Sequence, residues 1–412
     1  MGKKSHFIPL PRHEIKQRLF SRPELKPYIS EGLGNLCKML EALDHHSSLE
    51  ELDELKILYA AMDPDGESRP LDLSNVDQFI DKFESILRDG NWEDVSDAEL
   101  DLAMEGESLF PISMDVRFEE FARMKLYKLG LDETSENAPN FLDKILRRPG
   151  KVVNFDMYNR VIQLIQFKDS DWFNTHGQRK YDPGEQGEGL HLRLFKNVPV
   201  SDLEIIFPNT KPKMRVADKA QISFPLVIGL VMLSQQYLLP ILLGAPTVDF
   251  SSAILIAMVS ALGSYAMKAY MTYRKTKEKY MSAVAKDLYF KGQANNQAVL
   301  NMVIDLAEEQ EVKESLLCYT FLLSESEKNH TLSSLDRRIE DWLAEQGVSA
   351  DFEIEDAVSD LAEMGLIELS IDVMGKDGNL NLDVPLGNAA IPISESLARL
   401  DDIWDNLYDF EH

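Results

Sequence analysis

Two long uncharged stretches near the middle of the chain constrain its fold more than any other feature. They cover residues 222–244 and 250–267, and the second continues to residue 271 beyond Lys268. A helix of about 20 apolar residues can cross a hydrocarbon core of ~30 Å. Because only residues 245–249 connect the two stretches, the pattern predicts a helical transmembrane hairpin. A buried hairpin of a water-soluble protein is the alternative.

Basic side chains flank the predicted hairpin on both sides. They are Lys211, Lys213, Arg215 and Lys219 before it, and Lys268, Arg274, Lys275, Lys277 and Lys279 at its end. The positive-inside rule then places both termini on the cytoplasmic side, with anionic lipid headgroups of the bilayer as a partner. The chain starts almost directly at residues 7–9 (FIP) and shows no transit peptide, so we expect a multi-pass protein of a bacterial cytoplasmic membrane.

Small and amide side chains within the two stretches predict how the membrane helices pack. Small residues at four-residue spacing let helix backbones approach closely, and buried amides need a partner across the interface. The predicted packing residues are Gln235, Gln236, Ala253, Ala257, Ala261 and Ser264. Chance occurrence of common small residues is the alternative.

The remaining sequence predicts an α+β membrane protein with soluble domains on each side of the hairpin. Strand-like runs at 121–127, 161–167 and 190–195 predict a small antiparallel sheet. Three helical segments followed by alternating strands at 366–373 and 379–384 predict an acidic winged-helix-like C-terminal domain. The predicted domains are a mainly helical N-terminal region at 1–109, the sheet domain at 110–210, the hairpin with its flanks at 211–280 (helices about 222–244 and 250–271), the winged-helix-like domain at 281–388 and an acidic C-terminal helix at 389–412.

The charge of the chain excludes generic nucleic-acid binding. The formal net charge is −27 at pH 7, and residues 300–412 contain 27 acidic side chains against six basic ones. The helix that a winged-helix protein inserts into the major groove is here acidic, without Lys or Arg over residues 351–363. Since phosphates repel such a surface, the domain is predicted to be an interaction or packing module.

Catalytic and metal-binding patterns are missing from the sequence. It has no HExxH, GxSxG or phosphate-binding loop, and two cysteines do not make a metal or disulfide framework. We therefore expect no metal and no cofactor. An unrecognised enzyme stays open, with Lys196, Asp202 and Glu204 as its polar candidates.

An apolar segment with two carboxylates lies directly before the first basic flank. Its residues are Phe195, Lys196, Asn197, Pro199, Asp202, Leu203, Glu204, Phe207 and Pro208. We expect this junction motif at the membrane surface, where it docks the sheet domain on the bilayer or holds the C-terminal domain. A purely structural junction and a functional site are both compatible with these residues.

Four segments carry a family resemblance. They are residues 7–12 (FIPLPR), 194–209 (LFKNVPVSDLEIIFPN), 310–314 (QEVKE) and 351–357 (DFEIEDA). With them the chain resembles the transmembrane protein 143-like family, whose shared region is a domain of unknown function (number 3754). The resemblance implies a membrane protein with two spans and no established activity.

These observations favour a non-enzymatic, membrane-anchored scaffold or adaptor that faces the cytoplasm and binds an unknown protein or a second copy of itself. An oligomeric transport or channel component with Gln235 and Gln236 along its path is one alternative. A lipid-acting enzyme is the other.

Overall fold

The computed structural model of the chain describes residues 5–66, 72–105, 113–138, 151–176, 188–213, 252–375 and 380–408, together with residues 227, 228, 231 and 235. The helices in this part of the chain are α1 (Arg12–Phe20), α2 (Lys26–Glu31), α3 (Leu33–Tyr59), α4 (Val76–Asp89), α5 (Asp97–Glu105), α6 (Ser170–His176), α7 (Ser252–Lys291), α8 (Gln297–Ser324), α9 (Leu332–Glu345), α10 (Ile354–Glu363) and α11 (Ile393–Asn406). The strands are β1 (Glu93–Asp94), β2 (Ser113–Asp115), β3 (Phe121–Ala138), β4 (Lys151–Phe167), β5 (Leu190–Pro199), β6 (Lys211–Lys213) and β7 (Gly292–Asn295).

The chain forms two compact units, and the first contains a five-stranded sheet. This unit comprises Met1–Ser96, Glu120–Val198 and Gln293–His412. The strand order is β1-β3-β4-β5-β7, and β3 and β4 are long antiparallel neighbours in which Tyr127 pairs with Ile162. Residues 161–165 of β4 are all buried, so both faces of the sheet are covered at this strand.

Helix α8 lies at the centre of the first unit. Its N-terminal half packs with α4 and the sheet in one apolar cluster, and its C-terminal half packs with α1, α3, α9 and α10 in another. A helix that is apolar around most of its circumference is stable only when it is enclosed. The few polar residues of α8 are consequently forced into contact with other buried elements.

The second unit is smaller and comprises Asp97–Glu119 and Pro199–Gly292. Strands β2 and β6 pair antiparallel, and a 3₁₀ segment, Val200–Ile206, packs against α5. Met114, Ile205 and Leu288 make a small apolar cluster that joins β2, the 3₁₀ segment and α7.

The prediction of a membrane protein with two spans is wrong. In the part of the chain that the structure describes, no helix has the length and apolarity needed to cross a membrane. The second predicted span, 250–271, enters α7, which continues through basic residues to Lys291.

The remaining membrane predictions depend on the same two spans. Most of the first predicted span, 222–244, lies outside the described residues. The predicted localisation, a multi-pass protein of a bacterial cytoplasmic membrane, is corrected together with the fold class. The described residues form an α+β fold with an antiparallel sheet. The predicted domain boundaries stay predictions.

The C-terminal region differs from the predicted winged helix at its strands. In place of continuous strands at 366–373 and 379–384, the described residues form isolated bridges, such as Met374 with Leu380. Ile371 is 88% exposed and Met374 is 56% exposed. Leu366, Ile367 and Val373 are nevertheless buried, so the described residues of this segment pack on the core through single bridges and without a hairpin ladder.

Candidate functional site

The N-terminal segment, residues 5–12, lies along the polar side of α8. The Ile8 N–H donates to Gln310 Oε1 at 3.3 Å, and its carbonyl oxygen accepts from Gln310 Nε2 at 3.3 Å and Lys313 Nζ at 2.8 Å. Pro9 and Pro11 lack an N–H and disfavour helix before them. The extended backbone therefore takes its hydrogen bonds from side chains of α8.

The start of the same segment pairs with the residues before α10. The Asp351 N–H donates to the Ser5 carbonyl oxygen at 3.0 Å, and His6 Nδ1 lies 2.7 Å from Glu353 Oε1. This hydrogen bond to Glu353 raises the His6 pKa to about 9, with smaller contributions from the charges of Glu353 and Asp351, and it outweighs the opposing effect of burial. His6 is therefore an imidazolium at neutral pH.

Two ionisable side chains of α8 are buried beneath the segment. Glu314 is 3% exposed and accepts a hydrogen bond from Asn91 Nδ2 at 2.5 Å, and the same amide donates to the His6 carbonyl oxygen at 3.3 Å. Burial raises the pKa of Glu314 well above its ordinary value and lowers the pKa of Lys313 to about 8. Asn91 adopts a positive φ of 61°, which directs its amide between the two elements.

A group of carboxyl side chains lies between α3, α8 and α10. Burial is the largest cause that raises the pKa of Asp44 to about 7, of Glu311 to about 8 and of Asp360 to about 6. Neighbouring carboxylates contribute to each shift, since Glu311 is affected by both Asp44 and Asp360. At neutral pH some of these carboxyl groups are protonated, so the group carries less negative charge than three ionised carboxylates would.

A cavity of about 430 Å³ opens beside His6, between α9 and the start of α10. Its lining is mainly acidic, with two cations and three apolar side chains: His6, Ser333, Asp336, Arg337, Glu340, Asp351, Phe352, Glu353, Ile354, Glu355 and Leu382. Asp336 and Glu340 lie one turn apart on α9 and therefore share a face. Glu353 caps α10 and Glu355 follows in its first turn, where the helix dipole favours carboxylates.

The walls of this cavity are held in place by hydrogen bonds. The Phe352 N–H donates to Glu340 Oε1 at 3.3 Å, which links α9 to the loop before α10. His6 Nδ1 lies 3.2 Å from the Asp351 carbonyl oxygen as well as close to Glu353. The acidic side chains thus surround a volume in the range of small-ligand sites, on a preformed frame.

A second charged cluster lies apart from this cavity in the same unit. Glu325 is 6% exposed and accepts from Arg22 at 3.2 Å, Arg338 at 3.2 Å, Lys328 at 2.8 Å and His330 at 3.2 Å. Despite burial, these hydrogen bonds and charges lower the pKa of Glu325. These contacts connect the end of α8 with α9 and with the segment before α2, and we expect them to stabilise the packing of these elements.

The structure brings together three of the four segments that carried the family resemblance. Residues 7–12, 310–314 and 351–357 meet at the N-terminal segment, whereas 194–209 continues from β5 into the second unit. Sequence reasoning noted these segments and missed that they form one site. The signal was available in the mostly polar run of residues 308–314, which interrupts a mainly apolar helix.

The predicted junction motif is mostly buried. Asp202 is 2% exposed and Glu204 is 7% exposed, and burial raises the pKa of Glu204 to about 7 despite a hydrogen bond from the Met114 backbone. Lys196 is partly exposed near the end of β5, and Asn197 has a positive φ of 52°. Phe195, Leu203 and Phe207 are buried apolar residues, Pro199 is buried and Pro208 is partly exposed.

The predicted packing residues of the hairpin are not brought together in the described part of the chain. Ser264 is exposed on α7, and Gln235 is exposed. Gln236 and the side chains of Ala253, Ala257 and Ala261 lie outside the described residues. No group of three or more His, Cys, Asp or Glu among the described residues has the arrangement of a metal site.

Comparison with known proteins gives limited information about the chain. No solved structure matches it. The resemblance to the transmembrane protein 143-like family stays a prediction. Residues 158–298 match the family described as Protein of unknown function (DUF3754), a segment that includes the junction motif and ends in the first turn of α8. This central segment of the chain is therefore similar to a family of unknown function.

Proposed function

We propose that this protein is a non-enzymatic adaptor that binds a basic side chain of a partner protein in the acidic cavity beside His6. The observation that carries the proposal is the excess of carboxylates around a preformed cavity of about 430 Å³. Its five acidic residues face only His6 and Arg337 as cations. A ligand with positive charge is the natural complement of such a site.

The shape of the lining favours a lysine or arginine side chain over a small cation. Phe352, Ile354 and Leu382 provide apolar surface beside the carboxylates. Lysine and arginine combine an aliphatic stem with a charged end, so the stem packs on apolar atoms while the head pairs with acids. The planar guanidinium can also bind a carboxylate through two parallel hydrogen bonds.

The His6–Glu353 pair contributes to recognition by occupying one carboxylate. His6 is protonated and lies 2.7 Å from Glu353, so the basic group of a partner meets the other carboxylates of the cavity. Glu355 is exposed at the rim and is the most accessible of them. The pair also fixes the N-terminal segment as one wall.

The proposal is tested with a fluorescein-labelled peptide that alternates glycine with arginine and lysine, titrated with the full chain while anisotropy is recorded. We expect saturable binding that weakens as salt increases. Replacing arginine by citrulline and lysine by norleucine removes the charge at nearly constant size, and we expect at least a roughly tenfold loss of affinity.

The matched variants are Asp351→Asn with Glu355→Gln in the cavity, and Glu345→Gln on the exposed part of α9 outside it. The double variant is expected to lose affinity by about tenfold, as for two weakened charge pairs, and the control is expected to bind normally. Equal affinity for the charged and neutral peptides, or an unaffected double variant, contradicts the proposal.

A further inference from the structure

Helix α7 of the second unit presents large apolar side chains to solvent. Those on one face, within about 100° at 100° per residue, are Ile256, Met267, Tyr270, Met271, Met281 and Tyr289. Their exposed fractions range from 38% for Met281 to 80% for Tyr289. A stripe of this length on one helix face indicates a protein-binding surface.

The same helix is basic. Arg274 and Glu278 lie within the apolar stripe and pair with each other at 3.0 Å, and the other basic side chains lie outside it. Residues 268–291 contain seven basic side chains and two acidic ones. Lys275 and Lys277 are exposed and lie on opposite sides of the stripe. Two copies of this helix side by side would place like charges together, so its partner is an acidic surface.

The acidic complement is present in the chain itself. The C-terminal residues 300–412 have 27 acidic side chains against six basic ones, and the acidic cavity beside His6 is formed largely by them. Since one chain carries both a basic helix with an apolar stripe and an acidic binding site, the two surfaces can satisfy each other between copies.

We infer that α7 of one copy binds the acidic face around the cavity of a second copy, and that the exchange is reciprocal. The inference rests on the proposed function, since it names the basic partner of that cavity. A reciprocal exchange about a two-fold axis makes two equal contacts and closes the assembly as a dimer. The apolar stripe then packs on the surface around the cavity, and Lys275 or Lys277 enters it.

Sedimentation velocity of the full chain over a range of concentration and salt tests the inference. We expect a dimer at low salt that dissociates as salt increases. Lys275→Glu with Lys277→Glu is expected to raise the dimer dissociation constant at least tenfold, whereas Lys26→Glu with Lys38→Glu, an equal charge change at exposed sites of α2 and α3, is expected to leave it unchanged.

A charge exchange separates direct pairing from a general effect of charge. Asp351→Lys with Glu355→Lys is expected to weaken the dimer. A mixture of this variant with the α7 double variant is expected to recover a dimer through two complementary contacts, one with the original charges and one with the charges exchanged. A chain that is monomeric at every concentration, or a mixture without recovery, overturns the inference.

The peptide titration distinguishes this failure from failure of the proposed function. The Lys275→Glu, Lys277→Glu variant retains its cavity residues, so it is expected to bind the arginine-lysine peptide at least as well as the unmodified chain. A monomer that binds the peptide contradicts the dimer alone. A dimer whose cavity variants bind the peptide normally contradicts the cavity as the binding site.

Discussion

Replacing Glu311 by glutamine is expected to stabilise the first unit at neutral pH. In the folded chain burial and nearby carboxylates raise the pKa of Glu311 to about 8, from an ordinary value of 4.5. The unfolded chain releases this proton as pH rises through 4.5, and the folded chain retains it up to about 8. Stability is therefore lost between these two values as pH rises.

The magnitude follows from the two pKa values. At about 1.36 kcal/mol per pH unit, the cost of keeping the proton at pH 7 is roughly 3 kcal/mol. Because Glu311 is only partly buried and solvent screens it, we expect a gain of about 2 kcal/mol for Glu311→Gln. The glutamine retains the shape of the side chain and stays neutral at every pH.

Urea denaturation followed by circular dichroism at pH 4.5 and pH 7 measures the effect. The expected gain is close to zero at pH 4.5 and about 2 kcal/mol at pH 7. Glu345→Gln, on the exposed side of α9, provides a control with no pH-dependent gain. An equal gain at both pH values, or a loss of stability at pH 7, refutes the reasoning.

Three further substitutions test the contacts of the first unit by denaturation. His6→Ala is expected to lower the free energy of unfolding by about 1–2 kcal/mol below pH 6.5, because protonated His6 pairs with Glu353. The difference is expected to disappear as pH rises through 9, the raised pKa of His6. Gly130→Ala is expected to lower the free energy of unfolding by about 1–3 kcal/mol, because Gly130 has a φ of +70° and an added Cβ would lie 2.9 Å from Phe7 Cδ1. An unchanged denaturation midpoint contradicts this prediction. Glu325→Gln is expected to lower the free energy of unfolding by about 3–5 kcal/mol, because Arg22, Lys328, His330 and Arg338 lose the buried carboxylate that they contact. A loss below ~1 kcal/mol argues against a stabilising role of the cluster.

Local patterns in the sequence indicate many elements of the first unit. In α4, Val76, Phe79, Ile80, Phe83 and Ile86 recur at helical spacing and are buried in the structure. The runs of β-forming residues at 161–167 and 190–195 lie within β4 and β5, and burial alternates along 190–194. Such periodicities follow from one buried face, so they are visible in a single sequence.

The candidate site could not be assembled from the same kind of pattern. It depends on contacts between Ile8 and Lys313 and between His6 and Glu353, each more than 300 residues apart along the chain. Nothing in the local sequence specifies which polar group of α8 satisfies the Ile8 carbonyl oxygen. Only the tertiary fold places the acidic loop before α10 beside the N-terminal segment.

The membrane prediction failed at α7 because uncharged length alone was used as its criterion. Residues 252–267 are uncharged, yet α7 continues from Lys268 through basic residues to Lys291. Where a helix begins and how far it continues depend on its neighbours in the fold. Hydropathy along the chain does not contain that information.

Methyl NMR of the full chain with the arginine-lysine peptide tests the central claim most directly. The cavity contains the methyl groups of Ile354 and Leu382, and Ile86 and Ile391 provide buried methyl groups that do not line it. The account predicts saturable shifts of Ile354 and Leu382, absent with the citrulline-norleucine peptide, while Ile86 and Ile391 stay unchanged. Shifts confined to other methyl groups, with Ile354 and Leu382 unaffected at saturation, would contradict the cavity as the binding site.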